Sequence, residues 1–149
     1  MAIKICGNIV LPNINGGNCN NYSLGANALE SVTNGCNNFA VGLGAATLNV
    51  IGCNNTAIGY GSLCNNVTGS DNIAIGYSSL FSNTIGDDNI ALGYEALKCN
   101  LASTNLAIGS SSLRCNTTGC GNVGIGFLSL ECNSTGKFNI AIGGYGTLR

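Results

Sequence analysis

Residues 71–97 read DNIAIGYSSLFSNTIGDDNIALGYEAL, and within them Asn-Ile-Ala-Ile-Gly, ending at Gly76, returns as Asn-Ile-Ala-Leu-Gly, ending at Gly93. The same pattern (Asn, an apolar residue or Thr, a small residue, Ile/Leu/Val, Gly) ends at Gly25, Gly42 and Gly59 on one side and at Gly109, Gly126 and Gly143 on the other. Successive glycine numbers differ by 17, 17, 17, 17, 16, 17 and 17. Self-similarity at a short fixed period is the signature of a repeat architecture, so the period is read before anything else.

A 17-residue unit is too short for a helical-hairpin repeat, which needs roughly 33–47 residues. Ile73-Ala74-Ile75 alternates large and small with period two, the period of a strand. Gly, Asn and Thr recur in every copy and are poor helix formers. Each unit therefore reads as strand, tight turn, short strand, tight turn, with Gly and Asn at turn positions of positive φ. Stacked units place equivalent residues about 4.8 Å apart, and about eight of them make a rod of about 38 Å. The predicted fold is all-β: a parallel β-roll or β-solenoid of about eight 17-residue coils over residues 21–149, with residues 1–20 as an N-terminal cap or attachment segment.

Columns of equivalent residues carry the rest of the reading. Leu follows most motif glycines by four, at Leu29, Leu63, Leu80, Leu97, Leu113 and Leu130, with Ala46 and Thr147 in two copies. A second turn glycine recurs at Gly35, Gly52, Gly69, Gly86, Gly119 and Gly136, and the 16-residue copy lacks it around Leu101 to Thr104. One strand face holds Tyr22, Phe39, Thr56, Ile73, Ile90, Leu106, Val123 and Ile140 beside Leu24, Val41, Ile58, Ile75, Leu92, Ile108, Ile125 and Ile142. The other holds Ser23, Gly124 and the alanines Ala40, Ala57, Ala74, Ala91, Ala107 and Ala141. Two arrangements follow. The large β-branched columns fill the interior with Leu, or the small residues and Leu fill it and the Ile/Val face packs on another chain. Either way one uncharged sheet face is left outside, and such a patch marks an interface. Ile58, Ile75, Leu92, Ile108, Ile125 and Ile142 are the candidate core or oligomer ladder, most simply in a cyclic trimer. Asn55, Asn72, Asn89, Asn105, Asn122 and Asn139 form a column suited to a ladder of side-chain amides at a turn.

Composition excludes several functions. Only 7% of the 149 residues are charged, the net charge is −1, and Lys4, Lys98, Arg114, Lys137 and Arg149 are scattered. Nucleic-acid binding needs clustered cations, so none is expected. No segment approaches the ~20 apolar residues of a membrane helix, and the N-terminus does not read as a signal peptide. There is no His for general-base or triad chemistry, and strings such as Gly59-Tyr60-Gly61 belong to the repeat rather than to a phosphate loop. Asp87-Asp88 is a lone carboxylate pair in a turn, too few ligands for a calcium site. The chain is read as a non-enzyme without cofactor or metal. Ice binding would call for a regular Thr ladder, and the column Asn34, Ile51, Thr68, Ile85, Thr118, Thr135 is not one.

Nine cysteines include two ladders: Cys19, Cys36, Cys53 and Cys120, and Cys99, Cys115 and Cys132. In-line thiols at strand spacing cannot wrap a tetrahedral ion, and parallel Cβ vectors fit a disulfide dihedral near 90° poorly. The favoured reading is small semi-buried thiols; the other is cross-linking through Cys19, Cys36, Cys53, Cys99, Cys115 or Cys132. Tyr60, Tyr77, Tyr94 and Phe127 share a column that is read as lying inside the roll, with sugar stacking as the functional alternative. Sequons at Asn21, Asn54, Asn66, Asn116 and Asn133 are explained by turn chemistry, with glycosylation as a weaker reading.

The repeated NIAIG string, with Gly76 and Gly143, resembles the head repeats of YadA-like trimeric autotransporter adhesins and related phage and large-virus fibre repeats. The resemblance spans about Asn21 to Arg149. It implies a left-handed β-roll assembled as a trimer that displays a surface for a glycan or protein receptor. The chain's coil is a few residues longer than that family's, it carries nine cysteines, and no stalk or anchor is seen. These departures favour a virus or phage fibre, or a free-standing fibrous protein, over a bacterial adhesin. The function expected is a structural fibre or head segment of a virion or cell surface that attaches passively to its host. The alternative is a filament protein that stacks end to end through uncapped coils.

Overall fold

The computed structural model describes strands at residues 3–5 and 8–10 and the continuous stretch 19–145. Strands β1 (Ile3–Ile5) and β2 (Asn8–Val10) pair antiparallel. Eight three-residue strands follow: β3 (Tyr22–Leu24), β4 (Phe39–Val41), β5 (Thr56–Ile58), β6 (Ile73–Ile75), β7 (Ile90–Leu92), β8 (Leu106–Ile108), β9 (Val123–Ile125) and β10 (Ile140–Ile142). They form one eight-stranded parallel sheet in sequence order. The register pairs Ile58 with Ile75 and Ala57 with Ala74, so residues one repeat apart lie side by side. The 16-residue copy keeps this register, Ile90 pairing with Leu106. The chain is a β-solenoid with no helix among its described residues. The cap role of residues 1–20 and the place of Thr147 in the Leu column lie largely outside the described residues.

One expectation is corrected. Each coil carries one strand, not two. The segment opposite the sheet contains the Leu column, and those leucines sit in the left-handed region, Leu63 at φ 51° and Leu80 at φ 48°. A positive φ breaks the strand pleat. The segment still bonds to the next coil, Leu63 N–H donating to the Ser79 carbonyl at 2.9 Å and Asn65 N–H to the Phe81 carbonyl at 3.2 Å. Left-handed backbone costs a non-glycine residue about 1–2 kcal/mol. Burying a Leu side chain returns about 1.5–3 kcal/mol, and Leu63, Leu80, Leu97 and Leu113 are completely buried.

The interior is filled as in the second arrangement, by the small residues and Leu. Ala40, Ala57, Ala74, Ala91 and Ala107 point inward and are buried against the leucines, while the Ile/Val columns lie on the outer face. A 17-residue coil leaves room for one large side chain and one methyl group across its width. Ala28, Ala45 and Ala96, with Ser62, Ser79, Ser112 and Ser129, complete the interior.

Two stacked Asn columns close the ends of the coil. Asn72 Oδ1 accepts from Asn89 N–H at 3.0 Å and from Asn89 Nδ2 at 3.1 Å, while its own Nδ2 donates to the Gly86 carbonyl at 2.8 Å. The amide side chain thus satisfies turn groups that the strand ladder cannot reach, and buried polar groups left unmatched would be costly. The second column, Asn49, Asn66, Asn83, Asn100, Asn116 and Asn133, does the same at the other turn: Asn66 Nδ2 donates to Asn49 Oδ1 at 2.7 Å and to the Gly69 carbonyl at 2.8 Å.

Candidate functional site

The sheet's outer face is an apolar surface that the coil's own core leaves unused. Ile58, Leu92, Ile108 and Ile125 are half-buried, Ile75 is 39% exposed and Ile142 is 71% exposed. The companion column from Tyr22 to Ile140 lies beside them, so the strip is two side chains wide and eight coils long. Tyr22 and Thr56 are its hydroxyl-bearing members, and it carries no charge. These residues face out because period-two alternation leaves the opposite side of each strand to Ala, the residue that fits inside. All six ladder residues singled out from the sequence are brought together on this one strip.

The aromatic column is corrected from inside to outside. Tyr60, Tyr77 and Tyr94 are 52%, 46% and 52% exposed. Their rings stack on one another at centroid separations of 5.2 Å, with interplanar angles of 7° and 11°. Their faces are therefore covered by each other and their edges meet solvent, so the middle of the ladder offers no free ring face for a sugar. Beside it a groove is lined by Leu43, Tyr60, Thr47, Gly61, Cys64 and Phe81.

The thiols are placed as follows. Cys19 and Cys36 are joined by a disulfide with a Cα–Cα distance of 4.6 Å, which corrects the thiol reading for that pair. Cys36 N–H also meets Cys53 Sγ at 3.2 Å, one coil further on. Cys53, Cys99, Cys115 and Cys132 carry free thiols. Burial pushes the Cys115 thiol above its ordinary value. Cys99, Cys115 and Cys132 run beside the densest charge cluster among the described residues: Lys98 meets Glu95 at 2.6 Å, and Arg114 meets Glu131 at 3.0 Å and Glu95 at 3.7 Å. The Glu95 and Glu131 carboxylates raise the Lys98 and Arg114 values respectively.

Three of the five sequons belong to the hydrogen-bonded interior: Asn21, Asn66 and Asn116 are fully buried. Asn133 is half-buried and donates to Asn116 Oδ1 at 3.2 Å. Asn54 alone of the five is exposed. The second Asn ladder was the feature that sequence reasoning missed, because three of its members were read as isolated sequons rather than as part of one column. The recurring Asn three residues before five of the six turn glycines was the signal; Val32 stands there before Gly35.

Among the described residues no three or more His, Cys, Asp or Glu side chains surround a common metal position. No helix among them is long and apolar enough to cross a membrane. No family model, curated protein or solved structure matches the chain.

Proposed function

We propose that the chain is a passive structural segment of a surface fibre, built from parallel copies of itself that pack through the Ile/Val strip. The single observation that carries this reading is the strip itself, two apolar columns on the outside of a sheet whose core is already complete with Ala and Leu. Its dimensions are about 10 Å by 38 Å from strand geometry, and a patch of that size is commonly an interface.

A second copy is the occupant that fits. Side chains on the strip recur every coil, and another copy presents the same ridges at the same spacing, so knobs and gaps interlock along the full length. A partner without this period meets only part of it. Three copies with their strips turned to a common axis enclose the Ile and Val side chains of the strip, which makes the trimer the assembly favoured here. Such a rod has few charges and stiff ladders, which suits a spacer or head that presents receptor-contacting loops away from a particle or cell.

The test uses substitutions on the outer face. Ile75→Asp with Ile108→Asp leaves the Ala/Leu core untouched and puts charge in the middle of the strip. The pair should convert the assembly to monomers with an unchanged circular-dichroism spectrum. Retention of the assembly would overturn the interface. For the fibre role, antibodies to the purified chain should decorate the outside of the particle or cell that makes it, and exclusively internal labelling would overturn that role.

A further inference from the structure

We infer that Cys99, Cys115 and Cys132 form a binding ladder for one soft, linear two-coordinate ion of the copper(I) or silver(I) type, held between the thiolates of adjacent coils. The three residues occupy equivalent positions in successive coils, and the backbone ladder runs through them: Cys99 N–H donates to the Arg114 carbonyl and Cys115 N–H to the Glu131 carbonyl, both at 3.0 Å. The three thiols are unbonded, half-buried at Cys99 and Cys115, and exposed at Cys132.

Geometry selects the ion. Side chains that run parallel on adjacent coils, unlike those turned together in the Cys19–Cys36 disulfide, set their sulfurs about 4.8 Å apart. Soft metal–thiolate bonds are about 2.3 Å, so a linear sulfur–metal–sulfur unit spans about 4.6 Å. The ion then lies midway on the line between two sulfurs. Each carbon–sulfur bond stands nearly perpendicular to that line, the angle a thiolate prefers. A tetrahedral ion finds no such cage, consistent with the lack of any cluster of three or more ligands among the described residues. Zinc is therefore selected against by the same spacing.

Binding exchanges protons for metal: two thiols and one monovalent cation give a bis-thiolate complex of charge −1 and release two protons. Lys98 and Arg114, each ion-paired with Glu95 or Glu131, stand beside Cys99 and Cys115 in the chain. Cys115 is the shared member. A sulfur cannot hold two ions on opposite sides in line, so the ladder takes one ion, seated on Cys99 and Cys115 or on Cys115 and Cys132. The other free thiols among the described residues lack a free thiol in the equivalent position one coil away: Cys53 has the disulfide-bonded Cys36 and Ser70, Cys64 has Thr47 and Phe81, and Cys120 has Ser103 and Lys137.

The experiment titrates the intact chain with silver(I), which needs no reductant, in the presence of thiosulfate as competitor, and counts retained ions by native mass spectrometry. Losing the second thiolate removes the chelate advantage, so Cys115→Ser should weaken retention at the ladder on the order of 10²-fold. Cys99→Ser and Cys132→Ser should each keep the ion, their combination should lose it, and Cys64→Ser should change nothing. Circular dichroism of each variant checks that the coil is intact. Wild-type retention in Cys115→Ser, or an equal fractional loss with every cysteine removed, would overturn the bridge and leave only capture by single thiols.

Discussion

Gly59 and Gly76, one coil apart, stand so close that a Cβ placed on Gly59 would lie 2.5 Å from the Gly76 carbonyl oxygen. The same approach recurs from Gly25 to Gly42, from Gly76 to Gly93 and from Gly109 to Gly126. These glycines also hold φ near 130°, Gly59 at 130° and Gly76 at 131°, where a side chain is strained even in open space. Two independent requirements, one of backbone angle and one of stacking, therefore fall on each repeat glycine.

Gly59→Ala should cost about 3–5 kcal/mol, combining backbone strain with a clash against backbone that cannot move aside. Gly44 is the control: its φ is also positive, at 69°, but the nearest atom to a new Cβ is the Thr47 hydroxyl at 3.5 Å. Gly44→Ala should cost only about 1 kcal/mol. Urea unfolding of both variants separates stacking from turn preference. Equal losses would show that stacking contributes nothing.

The one shortened coil leaves a measurable defect. Asn83 Oδ1 is buried without a hydrogen-bond partner. The partner it would have, Asn100 Nδ2, donates instead to the Ala102 carbonyl at 2.6 Å, two residues along the altered turn. Asn66, one coil earlier, is matched on both atoms, its Oδ1 accepting from Asn83 Nδ2 at 3.0 Å. Asn66→Ala should therefore destabilise more than Asn83→Ala, by about 1 kcal/mol, the net worth of one hydrogen bond. Thermal or urea unfolding of the two variants checks the order.

The period, the parallel register and the solenoid were legible in the sequence because Gly59, Gly76 and their equivalents tolerate no substitute, so their spacing survives in every copy. Which face turns inward was not. Ala74 and Ile75 are both uncharged, and alternation states only that they lie on opposite sides. The decision depends on the width of the coil, which depends in turn on the left-handed conformation of Leu63 and Leu80. Leucine disfavours that conformation, so residue type concealed it and suggested a second strand. The exposed position of Tyr60, Tyr77 and Tyr94 followed from the same misread segment. The Asn49 to Asn133 column was hidden for another reason: three of its members coincide with sequons, and a short motif drew the reading away from the column.

Thiol reactivity should follow place in the ladder. Cys132 is exposed, while Cys115 is half-buried with its thiol raised above the ordinary value by burial. The reactive species is the thiolate, so a raised value leaves less of it at neutral pH. Iodoacetamide at pH 7.5 should label Cys132 several-fold faster than Cys115, and the labelling of Cys115 should keep rising as pH increases past the usual thiol range. Peptide mapping reads both rates. Faster labelling at Cys115 would contradict the burial assigned to it.

Molecular mass in solution, by sedimentation equilibrium with and without reductant, bears most directly on the claim that the Ile58–Ile142 strip joins copies of the chain. The account predicts three times the chain mass of 15.0 kDa, unchanged by reductant because side-chain packing rather than disulfide exchange holds the copies together. A mass of 15.0 kDa at micromolar concentration would contradict it and leave the strip an exposed face of a monomeric rod.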